Sequence, residues 1–265
     1  MALSARVPIG QYLPGESPVH RLDPRTKIIW TLLWMTALFG VASFAGYLSF
    51  AVFLGVALAL ARIPAWAVWR GIRPLLYLIL FTAFFNLFAT PGELVARLGP
   101  FSITRAGLAA AGLVTARLLL LIAGASILTL TTSPLALSDG IEALLWPLRR
   151  IGVPAHELAM MMGIALRFIP TLLEEAERIM KAQKARGADF ESGNLWQRVR
   201  SLVPILVPLF VSAFRRADEL AVAMEARAYR GGEGRTHLRE LHFQPIDGLW
   251  MAVSLVWLAG TALWF

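Results

Sequence analysis

The chain alternates between long uncharged runs and short charged breaks. No Asp, Glu, Lys or Arg occurs in residues 28–61, 74–92, 118–138 or 248–265. A bilayer core takes roughly 20 apolar residues per helix, so each run holds at least one span. The 34 residues of the first run would make one helix of about 50 Å, too long for a core of about 30 Å. That run therefore divides at "SFAGY" (residues 43–47) into two short spans joined by a tight outer turn. The Gly- and Pro-punctuated stretch "TPGELVARLGPFSITRAG" (residues 90–107) reads as a short outer hairpin or turn.

Between residues 133 and 244 the pattern changes from uniformly apolar to amphipathic. Ser133-Pro134 opens a short helix with Leu137, Ile141, Leu144, Leu145 and Leu148 on one face and a stop near Gly152. "AHELAMMMGIALRFIP" follows as an apolar helix closed by Pro170. "TLLEEAERIMKAQKARG" sets Leu172, Ala176, Ile179 and Gln183 on one side. On the other, Glu174–Arg178 and Glu177–Lys181 are i,i+4 pairs, and Gly187 is the stop. A third helix from Pro208 carries a stripe of Phe210, Phe214, Ala217, Ala221, Met224 and Ala228, opposite Arg215, Arg216, Asp218 and Glu219.

Composition fits a polytopic membrane protein: 57% of residues are hydrophobic, 16% are charged, and the mean hydropathy is +0.64. The fold class expected is all-α, with about five transmembrane helices and a helical cytoplasmic coupling domain. Residues 1–132 hold an N-terminal cytoplasmic segment and four spans. Residues 133–244 form the coupling helices, and residues 245–265 the last span. Residues 1–25 lack the apolar stretch of a cleavable signal.

The net charge of +8 matters through its distribution, because 15 of the 25 Lys and Arg lie between residues 133 and 245. Arg6, Arg21, Arg25 and Lys27 precede the first span, and Arg62, Arg70 and Arg73 sit in the second loop. The positive-inside rule places these segments on the cytoplasmic side of the membrane. Topology thus accounts for the basic charge without nucleic-acid binding.

Catalytic chemistry finds no ligand set. There are no cysteines, and His20, His156, His237 and His242 make no zinc motif. "GGEGRTHL" (residues 231–238) lacks the lysine and the leading glycine of a phosphate-binding loop. The expectation is a non-enzyme with no cofactor and no metal.

Several residues stand out. "KAQKARGADFE" (residues 181–191) and "AMEARAYRGGEGR" (residues 223–235) both set small residue, arginine, small residue at a helix end. Solvated helix-end arginines facing the negative end of the helix dipole are one reading, and a docking motif is the other. Arg117 is either a functional intramembrane charge or, the reading favoured here, the outer edge of a span over residues 118–137. Asn86 reads as interhelical glue. Met160, Met161 and Met162 suit an adaptable contact surface or ordinary core. Arg167 is expected to be paired or to reach the membrane surface.

Four stretches in this order, "RLDPRTKI" (residues 21–28), "ALRFIPTLLEE" (residues 165–175), "AQKARGADF" (residues 182–190) and "AMEARAYRGG" (residues 223–232), resemble the T component of energy-coupling-factor transporters. The resemblance covers most of the chain. It implies a membrane scaffold whose coupling helices dock into two cytosolic ABC-type ATPase subunits through two Ala-Arg-Gly-type motifs. On this sequence these are Ala185-Arg186-Gly187 and Ala226-Arg227-Ala228, the latter with Ala in the third place. It also implies a membrane-embedded substrate-binding S component, for which Met160, Met161, Met162, Phe210, Phe214, Ala221 and Met224 are candidate contacts, in a surround of membrane lipid. ATP hydrolysis in the partners would then drive uptake of a vitamin or micronutrient. A component dedicated to cobalt, nickel or biotin, an enzyme acting on an anionic lipid, and a conventional ABC permease are the rivals. The shortage of polar residues within the spans stands against the permease.

Overall fold

A computed structural model of the chain describes residues 12–98, 101–190, 194–231 and 241–264. These fall into two compact units: residues up to Gly140 together with 241–264, and residues from Ile141 to 231.

The first unit is a helical bundle. Helix α1 (Pro24–Gly40) starts where Asp23 caps the Arg25 N–H at 2.8 Å and Pro24 fixes the first turn. Helix α2 (Phe44–Ala61) starts at Ser43, which caps the Gly46 N–H at 3.1 Å. The break in the first apolar run is thus residues 41–43, two residues before the centre of the stretch expected from sequence, because Ser43 serves as a cap and not as a turn residue. Helix α3 (Ala65–Ile72) and helix α4 (Leu76–Ala89) are joined by a 3-10 turn, Arg73–Leu75. Strands β1 (Leu94–Leu98) and β2 (Phe101–Thr104) form the expected outer hairpin, antiparallel and irregular between Leu94 and Ala96. Helix α5 (Arg105–Thr131), α6 (Pro134–Leu145) and α9 (Pro245–Trp264) complete the unit, α6 crossing its boundary. The helices between them, α7 (Ala155–Ala185) and α8 (Leu195–Ala226), belong to the second unit.

Helix α5 is the centre of the first unit, packed by α1, α2, α3 and α4. Lipid tails are as apolar as leucine, so burial alone does not hold such helices together; close packing and internal hydrogen bonds do. Gly124 illustrates this, since a Cβ there would overlap the Trp34 indole. The Trp34 Nε1–H donates to the Leu120 carbonyl at 3.2 Å. Around it Phe50 lies 4.9 Å and Trp257 5.9 Å away between ring centroids, with Phe53 on Trp257 at 4.4 Å. The outer faces are equally apolar: Leu48, Val52, Val56 and Leu60 form an exposed stripe down α2.

A polar latch closes the end of the bundle where α1 and α9 begin and α5 finishes. The last carbonyls of a helix lack partners within it. Here Leu128 accepts from Thr132 N–H at 3.1 Å and Leu130 from Leu13 N–H at 2.9 Å. Thr131 accepts from the Lys27 Nζ at 3.0 Å. Lys27 is buried, and its ammonium also donates to His20 O at 3.1 Å. Asp23 and Asp247 supply opposing charge. Asp247, fully buried, accepts from the Asp23 and Gln244 N–H groups at 2.8 Å each. His20 Nε2 lies 3.0 Å from the Leu13 carbonyl, which only accepts, so Nε2 carries the proton and Nδ1 accepts from the Ser17 hydroxyl at 2.6 Å. Burial pushes the His20 pKa below its ordinary value against the pull of the Leu13 carbonyl, favouring this neutral form.

Five helices are long and apolar enough to cross a membrane: α2, the α3–α4 pair (Ala65–Ala89), α5, α7 and the Trp196–Ala226 part of α8. This supports a multi-pass, all-α membrane protein. The membership differs from the expected set in two places. Helix α1 has 17 residues and α9 is an apolar helix of 20, Pro245–Trp264, whereas α7 and α8 gain length by running through prolines. Pro170 does not close a helix but lies inside α7, and Pro204 and Pro208 lie inside α8, which begins at Leu195 and not at Pro208. An interior proline costs about 3 kcal/mol. The long helical segments on both sides, paired along α7 and α8, outweigh it.

Two substitutions test this packing. Gly124→Ala is expected to cost about 1–3 kcal/mol by overpacking. Lys27→Met, which leaves buried carboxylates without their cation, is expected to cost about 3–5 kcal/mol. Both are read as a fall in the unfolding midpoint of the detergent-solubilised chain, and unchanged midpoints would contradict the latch and the Gly124–Trp34 packing.

Candidate functional site

The second unit is dominated by α7 and α8, which pack on each other. Helix α8 opens with a capping box, Asn194 to the backbone of Gln197 and Gln197 Oε1 accepting from Asn194 N–H at 3.0 Å. The helices are tied by Arg216, whose Nη2 donates to Glu175 Oε2 at 3.0 Å. Sequence reading set Arg216 on the polar side of its helix, opposite the apolar stripe. In the structure Glu175 and Arg216 are both half-buried and pair across 41 residues, on the face of α8 that also carries the buried Ile205 and the half-buried Leu209, Ser212, Ala213 and Leu220. The apolar stripe faces out instead: Phe210 is 60% and Phe214 68% exposed, Ala221 is exposed, and Met224 is half-buried. On α7, Met161 and Met162 are exposed and Met160 is half-buried.

Both arginine motifs end their helices in the same backbone conformation. Arg186 is the C-cap of α7 with φ −87° and ψ 8°, and Arg227 the C-cap of α8 with φ −89° and ψ 12°. After each, the third motif residue is left-handed, Gly187 at φ 88° and Ala228 at φ 56°. The hydrogen bonds match as well. Gly187 N–H donates to Lys184 O at 3.0 Å and Ala188 N–H to Gln183 O at 3.0 Å. Likewise Ala228 N–H donates to Glu225 O at 2.8 Å and Tyr229 N–H to Met224 O at 3.0 Å. Each is a complete Schellman cap.

The third residue of each motif thus holds a left-handed backbone, which Gly187 adopts without strain and Ala228 at a cost. Ala185, Arg186, Gly187, Ala226, Arg227 and Ala228 are all exposed. Each tip also stands at the same distance from the Glu175–Arg216 pair: 11 residues in both cases (186 − 175 and 227 − 216), or about 16 Å of helix.

The other candidates resolve differently. Arg117 does not mark a span edge, since α5 runs unbroken from Arg105 to Thr131 and Arg117 lies near its middle. Its Nε donates to Tyr47 Oη at 2.7 Å and its Nη2 to Val41 O at 3.2 Å, and it sits over the Phe39 ring. It is thereby a structural charge, fastening the α1–α2 turn to α5. Asn86 is not interhelical glue: its Nδ2 donates to Thr82 O at 2.9 Å within α4. Arg167 is exposed and forms no ion pair among the described residues. Residues 232–238 of the glycine-rich loop lie outside the described residues. Among the described residues no group of three His, Cys, Asp or Glu is placed to hold a metal ion. The Lys27–Asp247 latch was missed at the sequence level; its one signal was a lysine placed inside the first helical turns rather than before them.

A model of the family described as cobalt transport protein matches residues 15–238. The chain is also similar to curated proteins named energy-coupling factor transporter transmembrane protein EcfT. That of Thermosediminibacter oceani is 57% identical over 241 residues, 91% of each chain. That of Heliobacterium modesticaldum is 56% identical over 253 residues, 95% of each. That of Bacillus subtilis is 47% identical over 252 residues, again 95% of each.

The caps give a paired prediction. A Cβ at Gly187 would meet nothing within 4 Å, so Gly187→Ala is expected to cost about 1 kcal/mol from the left-handed backbone alone. Ala228→Gly is expected to gain up to about the same. Amide exchange at Ala188 and Tyr229 reads both, faster in the first variant and slower in the second.

Proposed function

The chain belongs to the cobalt transport protein family, and from that premise we propose that it is the transmembrane component of an energy-coupling factor transporter, docking two cytosolic ABC-type ATPase subunits through Arg186 and Arg227. The observation that carries the docking is the identical capped geometry of two exposed arginines at equal distance from one ion pair. A guanidinium offers five fixed donors and a permanent charge, suited to a carboxylate on a partner. The flanking small residues leave room for the partner's surface. ATP-driven closure of the two ATPases moves both tips together, and the Glu175–Arg216 contact lets the two arms turn about one another. Nucleotide hydrolysis then lies in the partners and not in this chain. The N-terminus and the arginine tips of α7 and α8 face the cytoplasm.

The exposed stripe of Phe210, Phe214 and Ala221, with Met161 and Met162, is the surface offered to a membrane-embedded S component that selects the vitamin or micronutrient. The cobalt description of the family favours a second reading, a component dedicated to cobalt or nickel. Uptake assays with radiolabelled metal and vitamin in cells lacking the chain separate the two.

The docking is tested by co-purification with the candidate ATPase pair. Arg186→Glu and Arg227→Glu are each expected to weaken the complex by at least tenfold, as for truncation of one partner of a buried charge pair. The double variant is expected to abolish it and to abolish uptake, with the unfolding midpoint unchanged. Normal assembly and uptake by the double variant would reduce both motifs to ordinary helix ends. Turnover of an anionic lipid by the purified chain would favour the enzyme instead.

A further inference from the structure

The junction between α2 and α4 carries a basic and aromatic patch that neither the ATPases nor the S component accounts for. Arg62, Arg70 and Arg73 are all exposed, and none forms an ion pair among the described residues. The sequence supplies no Asp or Glu between Asp23 and Glu93, so no carboxylate in this part of the chain balances them. Arg70 stacks over the Trp66 ring, 4.6 Å from its centroid. Trp66 and Trp69 are more than half exposed and Tyr77 is 85% exposed. Between α3 and α4 the 3-10 turn at Pro74 opens a surface trough of about 620 Å³, lined by Arg70, Arg73, Pro74, Leu76, Tyr77 and Leu80. One end of the trough is cationic and the other is apolar.

We infer that this trough binds one anionic phospholipid, its phosphate on Arg70 and Arg73 and its glycerol and upper acyl chain along Leu76 and Leu80. The inference rests on the reading of the first unit as membrane-embedded. Non-helical backbone exposed to lipid is confined to the bilayer's edge, which puts the break between α2 and α3 at headgroup level, and Arg70 and Arg73, two to three turns on, reach back to it with their long side chains. Trp and Tyr favour that level. Guanidinium groups pair with phosphate through parallel N–H donors. A Trp-stacked Arg70 is pre-oriented for this, and an exposed cation pair with no internal carboxylate is complementary to a net-negative headgroup.

The test uses the full chain in phosphatidylcholine vesicles containing a minority of phosphatidylglycerol, extracted gently and weighed by native mass spectrometry with its bound lipid. One phosphatidylglycerol is expected to be retained in preference to phosphatidylcholine. Loss of one direct guanidinium–phosphate contact is worth roughly tenfold or more, so Arg73→Gln is expected to lower that preference about tenfold and Arg70→Gln with Arg73→Gln about 100-fold. Arg21→Gln with Arg62→Gln, the same loss of charge at exposed positions outside the trough, is expected to change it by no more than a few-fold. Equal losses in the two double variants would mean diffuse surface charge and overturn the site. Retention of both lipids alike, or displacement of the lipid by inorganic phosphate, would overturn it as well. Unfolding midpoints of all variants are expected to match the wild type, and Arg70→Lys with Arg73→Lys is expected to recover part of the preference.

Discussion

Everything in the membrane unit hangs from the free carbonyls at the end of α5. In hydrocarbon each unsatisfied backbone group costs several kcal/mol, and a helix end leaves carbonyls without a partner of its own. The chain meets this by bringing Leu13 N–H and the Lys27 ammonium to Leu130 and Thr131. That choice dictates the rest. A buried ammonium needs opposite charge, which Asp23 and Asp247 provide. Asp247 in turn accepts from Asp23 N–H, joining the first turn of α9 to the start of α1. A single cation therefore closes three helices, separated by up to 224 residues in sequence, into one bundle end.

The second unit solves a different problem. Two helices of 31 and 32 residues must end in a defined geometry at exposed tips. Schellman caps do this locally, by fixing φ and ψ at Arg186 and Arg227 through hydrogen bonds within each helix's own last turn. The arginine sits at the negative end of the helix dipole, which favours its charge whether or not a partner is present. Helix-end stabilisation and docking are thus two uses of one feature, and the choice between them belongs to the partner. Ala228 shows the geometry taking precedence over local preference, since it holds a left-handed backbone that Gly187 adopts without strain.

How much of this was legible in the sequence depends on whether the signal was local. Uncharged runs, the 90–107 hairpin and the two Arg-small tips are each written in one contiguous stretch, and the hairpin and the tips appear where that stretch places them. The sequence by itself therefore determined a polytopic all-α chain with two matched cationic tips. Only the tertiary structure decided which faces pack. Inside a bilayer both the lipid side and the core side of a helix are apolar, so the 3.6-residue period that marks a buried face in water disappears. Nothing local distinguishes Leu48, which faces out, from Phe50, which is buried against Trp34. Pro170 and Pro208 read as helix boundaries because their cost is local, while the pairing of α7 with α8 that offsets it is not. Glu175–Arg216, Lys27–Thr131 and Arg117–Tyr47 each join residues at least 41 apart. Their partners were fixed by the way the helices meet, which is a property of packing and not of any window of sequence.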